Sequence, residues 1–318
     1  MVIDKIYISE RLKKLNFSTS VLKRLEEKHR FYHTTAHVLQ VLSLLEKAKI
    51  LDDDLFLTAV YHDAVYNPPA NDNEERSADL FEKEAKVAKL NASKIATIRQ
   101  YILDTKSHKS SDKKSQQFIN ADLDILNQPL EKLITFELQI FKEFQFVDYK
   151  IYQPKRIEVL KTFNKDGKLD ALIEYIKYWK PSVGVFCGSF NPFHKGHYNI
   201  LQKAERIFDK VIIAFGKNPE KTDRTWDIPK TIKNRQLGEY SGLLTDYISS
   251  IDREVVVIRG LRNSTDFDYE QNQYRYMQEL MPEINIVNIF CDKEFEHISS
   301  SGIRTLEKYD KHQNYLLD

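Results

Sequence analysis

VGVFCGSFNPFHKGH, residues 183–197, decides how the second half of this chain folds. Val183, Val185 and Phe186 favour a strand, and Gly188, Asn191 and Pro192 break it. From His197 onward the apolar residues fall at Ile200, Leu201, Ala204, Ile207 and Phe208, a spacing that buries one face of a helix. The unit is strand, loop, helix. In such a unit the unpaired N–H groups of the first helical turn open at the carboxyl edge of the sheet, where they attract an anion. His194 and His197 lie where those amides lie, and their imidazoles can donate to phosphate oxygens without a permanent charge. Gly196 would let a substrate approach the backbone closely. The plain alternative is a pair of incidental surface histidines.

The same alternation continues downstream. Residues 211–215, VIIAF, suit a central parallel strand, with Lys221 beyond its carboxyl end as a cation for a second phosphate. Residues 241–250 are expected to be helical, and the strand at 254–258 feeds into Arg259-Gly260-Leu261-Arg262, two forked cations suited to clamping phosphate. A helix over 266–280 follows, with Phe267, Tyr274, Met277 and Met281 on its apolar side and Tyr269 and Glu270 toward a ligand. A strand at 284–290 comes next. Ser299, Ser300 and Ser301 then open a short helix containing Arg304, where capping and anion binding are the same geometry. Strands alternating with helices predict a Rossmann-like, doubly wound parallel α/β sheet.

GSFNPFHKGH (188–197), NPEK (218–221), SGLLTDY (241–247), RGLR (259–262), DFDYE (266–270) and ISSSGIR (298–304) together resemble the phosphopantetheine adenylyltransferases, a branch of the H-x-G-H nucleotidyltransferases. The likeness covers residues 182–310. Many members carry threonine where this chain has His194, and the segment between 221 and 241 is short, so the likeness is stronger on the nucleotide side. It implies adenylyl transfer from ATP, with Mg2+ on its phosphates, to 4'-phosphopantetheine in coenzyme A biosynthesis. His197 would stabilise the transition state with His194, Lys221 and Arg259 in support. Gly188, Ser189, Phe190, Gly260, Arg262, Glu270, Ser299, Ser300, Ser301 and Arg304 would hold the nucleotide, and Ser189, Lys221 and Arg259 the acceptor. The alternative acceptors are nicotinate mononucleotide or a polyol phosphate.

The chain has 318 residues, enough for two domains, expected at 1-180 and 181-318. Its formal charge of +1 marks no general nucleic-acid or membrane-surface binder. H-x-G-H also occurs in aminoacyl-tRNA synthetases, but the K-M-S-K-S loop is missing. No signal segment or membrane span is read, and the two cysteines, Cys187 and Cys291, suit reduced thiols, so a cytoplasmic protein is expected.

Residues 1–180 contain a single glycine, Gly167, and apolar residues recur at helical spacing. Helices are expected after Thr34 or Thr35, from the acidic opening at Asp52 to Asp54, and over 74–88, 92–103, 130–146, 149–163 and 169–178, with a solvated loop at 106–114. Four residues in this half could converge on a metal: His37, His62, Asp63 and Asp122. Imidazole with carboxylate suits a divalent first-row ion. The adjacent His62 and Asp63 can share an ion only if their helix bends or ends there, and Pro68 and Pro69 favour that.

FYHTTAHV (31–38), AVYHDAVYNP (59–68), DNEERSADL (72–80) and INADLDIL (119–126) resemble the HD-superfamily metal-dependent phosphohydrolases over residues 25–170. The resemblance implies an all-α HD-type bundle in which His37, His62, Asp63 and Asp122 hold a divalent metal (Mn, Fe, Ni, Zn or Mg). His33 and His108 are candidates for a second metal or for phosphate, or are surface histidines. The other reading is a non-catalytic sensor or oligomerisation module. The transferase likeness implies a homo-oligomer.

Overall fold

The computed structural model describes residues 3–217 and 227–317. They form two compact units, one of residues 1–143 with 156–177 and one of residues 144–155 with 178–318. The expected division at 180 would leave 144–155 with the first unit. In the structure the chain passes between units within one helix, near Pro154.

The helices of the first half are α1 Lys5–Lys14, α2 Val21–Arg24, α3 Thr35–Lys47, α4 Asp53–Tyr61, α5 Asn73–Val87, α6 Ala92–Ser107, α7 Lys113–Asp122, α8 Leu130–Glu143, α9 Tyr149–Phe163 and α10 Asp170–Tyr178. Ile8, Leu12, Val38, Leu42, Phe56, Phe81, Ile98 and Phe118 meet in one core. Asp52 caps α4 by accepting from the Leu55 amide, with Asp53 and Asp54 in the first turn where the helix dipole favours them. Thr34 is the N-cap of α3 but its hydroxyl donates back to the Tyr32 carbonyl, so the expected threonine cap is not formed. The stretch at 106–114 is loop only in its middle, because α6 runs to Ser107 and α7 begins at Lys113. The helix expected over 130–146 stops at Glu143.

The second half carries β1 Val183–Gly188, α11 Lys195–Ala204, β2 Lys210–Lys217, β3 Gln236–Ser241, α12 Leu244–Ser250, β4 Val256–Leu261, α13 Ser264–Leu280, β5 Asn285–Phe290 and α14 Ser300–Glu307. All five strands are parallel, in the order β3-β2-β1-β4-β5. This is the Rossmann-like arrangement the alternation predicts. The chain leaves β1 toward β2 and β3, then returns to β4 on the other side, which opens a crevice beyond the carboxyl ends of β1 and β4. β2 is buried along its apolar run, as a strand flanked on both sides must be. β3 escapes the sequence reading because it is an edge strand, QLGEYS, only partly covered and too polar to stand out; Ser241 therefore ends a strand, and the helix expected from 241 begins at Leu244. On α13, Tyr274, Met277 and Met281 pack on the core as expected, but Phe267 is exposed. Among the described residues no helix is long and apolar enough to cross a membrane.

Candidate functional site

At the crevice beyond β1 and β4 lies a cavity of about 480 Å³. The end of β1 and the following turn contribute Gly188, Ser189 and Phe190; α11 contributes His194 and His197; β4 contributes Arg259, Gly260 and Arg262; α13 contributes Glu270; α14 contributes Ser299, Ser300, Ser301 and Arg304. Lys221 lies outside the described residues. The turn is strained at Phe190, which adopts φ +42. Its ring is clamped between Phe186, Phe193 and Phe215, and packs edge-on to His197 at 4.9 Å between centroids. Packing thus fixes a backbone that bulky residues avoid.

His194 is the N-cap of α11 and His197 its third residue, and the two close a reciprocal capping box. The His197 amide donates to His194 Nδ1 and the His194 amide to His197 Nδ1, each at 3.3 Å. The consequence is a fixed tautomer: with Nδ1 accepting on both rings, the proton resides on both Nε2 atoms. The rings stack at 3.6 Å between centroids. Burial and the charge of Arg262 lower the His194 pKa to about 4, and burial, His194 and Arg262 hold His197 well below the usual imidazole value. Both are therefore neutral N–H donors at physiological pH. Gly196 serves this stack, since a Cβ there would come within 3.1 Å of His194 Nδ1. Gly196 also lines the cavity, where the absence of a side chain keeps the backbone open.

The two arginines do not present free forks. Arg259 Nε and Nη2 each donate at 2.6 Å to Glu270, and Arg262 Nε and Nη2 each donate at 2.8 Å to Asp266. The reason is the start of α13 just beyond RGLR, which sets Asp266 and Glu270 one turn apart beside the end of β4. Burial opposes the charge on Arg259, and Cys187 and Glu270 restore it, so the guanidinium stays ionised. Asp266 escaped the sequence reading, although its spacing from Glu270 was the available signal.

Ser299 caps α14, accepting from the Gly302 amide at 3.1 Å. Ser300 donates to the Pro192 carbonyl at 3.1 Å and Arg304 donates to the Asn191 carbonyl. The serine helix is thereby tied to the turn that carries Phe190. His197, Arg259 and Ser300 line one shared cavity, as the proposed nucleotide site requires.

A separate cluster lies in the helical unit. α4 ends at Tyr61, so His62 and Asp63 stand in the turn beyond it, which resolves how neighbours can face one point. His62 Nε2 lies 3.0 Å from Asp63 Oδ2 and 3.4 Å from Asp122 Oδ1; His37 Nε2 lies 2.9 Å from Asp122 Oδ1 and 4.0 Å from Asp63 Oδ2. His62 Nδ1 donates to the Ala59 carbonyl at 2.9 Å, so its Nε2 faces the carboxylates and is the nitrogen that takes either the second proton or a metal. That buried Nε2 makes no well-angled hydrogen bond. Burial opposes charge on His62, yet Asp63 and Asp122 raise its pKa well above the usual imidazole value; His62 in turn holds both carboxyls low against the burial that would raise them. His37, His62 and Asp63 bring their ligand atoms together in one buried cluster, a donor set that fits a divalent first-row ion. His108 lies apart, edge-on to Phe163.

Glu143 was missed altogether. It is fully buried and accepts from the amides of Phe31, Tyr32 and His33, from His33 Nδ1 and from the Tyr66 hydroxyl. A glutamate at the end of an amphipathic helix carries no local sign of partners more than a hundred residues away.

The cytidylyltransferase-like family profile matches residues 185–306. A phosphopantetheine adenylyltransferase of Mycoplasma capricolum subsp. capricolum is 37% identical over 138 residues, which span 41% of this chain and 99% of that protein. The chain belongs to the phosphopantetheine adenylyltransferase family. A member from Dictyoglomus turgidum is 35% identical over 134 residues, 39% of this chain and 83% of that protein. The solved bifunctional NMN adenylyltransferase/ADP ribose pyrophosphatase of Francisella tularensis shares 15% identity at a TM-score of 0.29, over 43% of this chain and 44% of that one, too remote to carry an argument.

Proposed function

We propose that residues 181-318 transfer the adenylyl group of ATP to 4'-phosphopantetheine, giving dephospho-coenzyme A and pyrophosphate. The observation that carries this reading is the capping box that presents two neutral Nε2–H donors to a cavity shared with Arg259 and the serine helix. The acceptor phosphate is already an anion at neutral pH, so no base is needed to make it a nucleophile. The protein's task is to align two anions and to stabilise charge as it gathers on the α-phosphate and the departing pyrophosphate. His197 donates to the α-phosphate and His194 supports it. Arg259, oriented by Glu270, supplies a fixed positive charge, and Ser299, Ser300, Ser301 and Arg304 receive the leaving phosphates. Lys221 would meet the acceptor together with Ser189 and Arg259. Mg2+ arrives on the phosphates of ATP.

Pyrophosphate release by full-length protein with Mg2+, ATP and 4'-phosphopantetheine tests this, and His197→Ala is expected to reduce turnover by about a hundredfold or more. Undiminished turnover in that variant would remove His197 from the mechanism. A panel of acceptors including nicotinate mononucleotide separates the pantetheine reading from its neighbours.

For residues 1-180 we propose a metal-dependent phosphohydrolase of the HD type, with His37, His62, Asp63 and Asp122 holding the ion. The metal would bind a phosphate and lower the pKa of a water. The convergence of His62 Nε2 and His37 Nε2 on the carboxylates of Asp63 and Asp122 supports this reading over a metal-free scaffold. Metal analysis decides between them: bound ion that disappears in His62→Ala supports the hydrolase, and metal-free native protein supports the scaffold.

A further inference from the structure

His33 has no part in the ligand set, yet it is held beside it. Arg30, whose side chain is fully buried, donates to the carbonyls of His33 at 3.1 Å, Asp63 at 2.7 Å and Ala64 at 3.2 Å. One guanidinium thus pins the backbone before α3 to the turn that carries Asp63. The His33 ring lies against Tyr66 at 4.3 Å, against Tyr32 at 5.1 Å, and edge-on to His37 at 6.1 Å between centroids. Its orientation is set by Glu143, 2.6 Å from Nδ1.

Glu143 is built to be an anion. Its Oε1 accepts three backbone amides at 2.7, 2.7 and 3.0 Å, and its Oε2 accepts from His33 Nδ1 and from Tyr66 Oη at 2.8 Å. A carboxylate surrounded by five donors can only accept, so the proton between it and His33 belongs to Nδ1. That leaves Nε2, which no group among the described residues engages with a hydrogen bond. Side-chain accessibility confirms the geometry: Glu143 is 0% exposed and His33 21%, so the ring reaches from a dry anchor toward solvent.

We propose that His33, held by the Glu143 and Tyr66 pair, binds the phosphoryl group of the substrate at the metal cluster through Nε2. The proposal rests on the hydrolase reading of residues 1-180. An anionic phosphoryl oxygen at Nε2 and the Glu143 carboxylate at Nδ1 would flank the ring on opposite nitrogens. The class of ligand is a phosphate ester, whose free non-bridging oxygens can engage a metal and an imidazole separately. His33 is accordingly a substrate-binding residue, and Glu143 and Tyr66 are positioning residues that act through it.

The test uses full-length protein: wild type, His33→Ala, Glu143→Gln, Tyr66→Phe and His62→Ala, each stripped, reloaded with Mn2+ and titrated calorimetrically with inorganic phosphate. Bound metal is measured on the same samples. The quantity read is the part of the phosphate isotherm that requires both Mn2+ and His62, which separates it from phosphate taken up elsewhere on the chain. His33→Ala is expected to keep the wild-type metal content and to weaken phosphate binding about tenfold or more. Tyr66→Phe, which removes one bond and leaves the fold intact, is expected to weaken it about two- to threefold, and Glu143→Gln to fall between. Unchanged phosphate affinity in His33→Ala overturns the proposal, and so does loss of metal in that variant, which would make His33 a ligand. Wild type that takes up no Mn2+ overturns the hydrolase reading itself, and does so before any phosphate is added.

Discussion

In the helical unit His62 lies 3.0 Å from a carboxylate oxygen of Asp63, and despite its burial its pKa is driven upward. In the sheet unit His194 is also buried, but the charge nearest to matter is Arg262, and its pKa falls to about 4. His62 in one unit and the stacked pair in the other are each fixed by a backbone group at Nδ1, with opposite results. Nδ1 of His62 donates to a carbonyl and leaves Nε2 to bind the second proton or a metal; Nδ1 of His194 and His197 accepts from an amide and leaves the ring's single proton on Nε2. The lesson is that one hydrogen bond to the main chain decides whether a histidine is a ligand for a cation or a donor to an anion.

The largest expected effects strike those Nε2 atoms directly. His62→Ala should abolish stoichiometric metal binding while leaving pyrophosphate release within about twofold of wild type, and His197→Ala should do the reverse, with turnover down about a hundredfold or more. Loss of both activities in either variant would break the comparison. His194→Thr sharpens it: threonine can cap α11 but cannot stack on His197, so turnover should fall by less than in His197→Ala, about tenfold.

Stability supplies the next effect. Burial alone would raise the Glu143 carboxyl, but His33 and the Phe31 and His33 amides bring it down to about 2. A depressed carboxyl contributes stability that is fully present above its unfolded value, near 4.5, and is lost as pH falls through about 2. Glu143→Gln should therefore cost about 3 kcal/mol at neutral pH and flatten the acid slope of urea midpoints. The sign is the same for His194 but the window lies higher: the unfolded chain takes up its proton near 6.5 and the native chain near 4, so stability is full above about 6.5 and declines as pH falls toward 4. Metal affinity should likewise weaken as pH falls, beginning above the ordinary imidazole range, because protons compete for His62 Nε2.

How much of this could be read beforehand varies with the range of the interaction. β1, α11 and the serine helix were legible because strand former, turn residue, helix period and cap follow one another locally. The cation site candidates were legible as residue types, and the end of α4 at Tyr61 made their convergence possible. β3 was not legible, since an edge strand carries little apolar pattern. The closing of the arginine forks by Asp266 and Glu270 was half legible, since both carboxylates lie in the segment already singled out. Glu143, Tyr66 and Arg30 were silent, because their partners are brought to them only by tertiary folding.

The central contrast can be measured in one experiment: titration of the imidazole nitrogens by 15N nuclear magnetic resonance in metal-free, full-length protein, with His62→Ala and His197→Ala to assign the signals. The account predicts that His62 titrates above the ordinary imidazole value, His194 at about 4 and His197 below the ordinary value, the last two with their neutral proton on Nε2. All three titrating together near the ordinary imidazole value would contradict it.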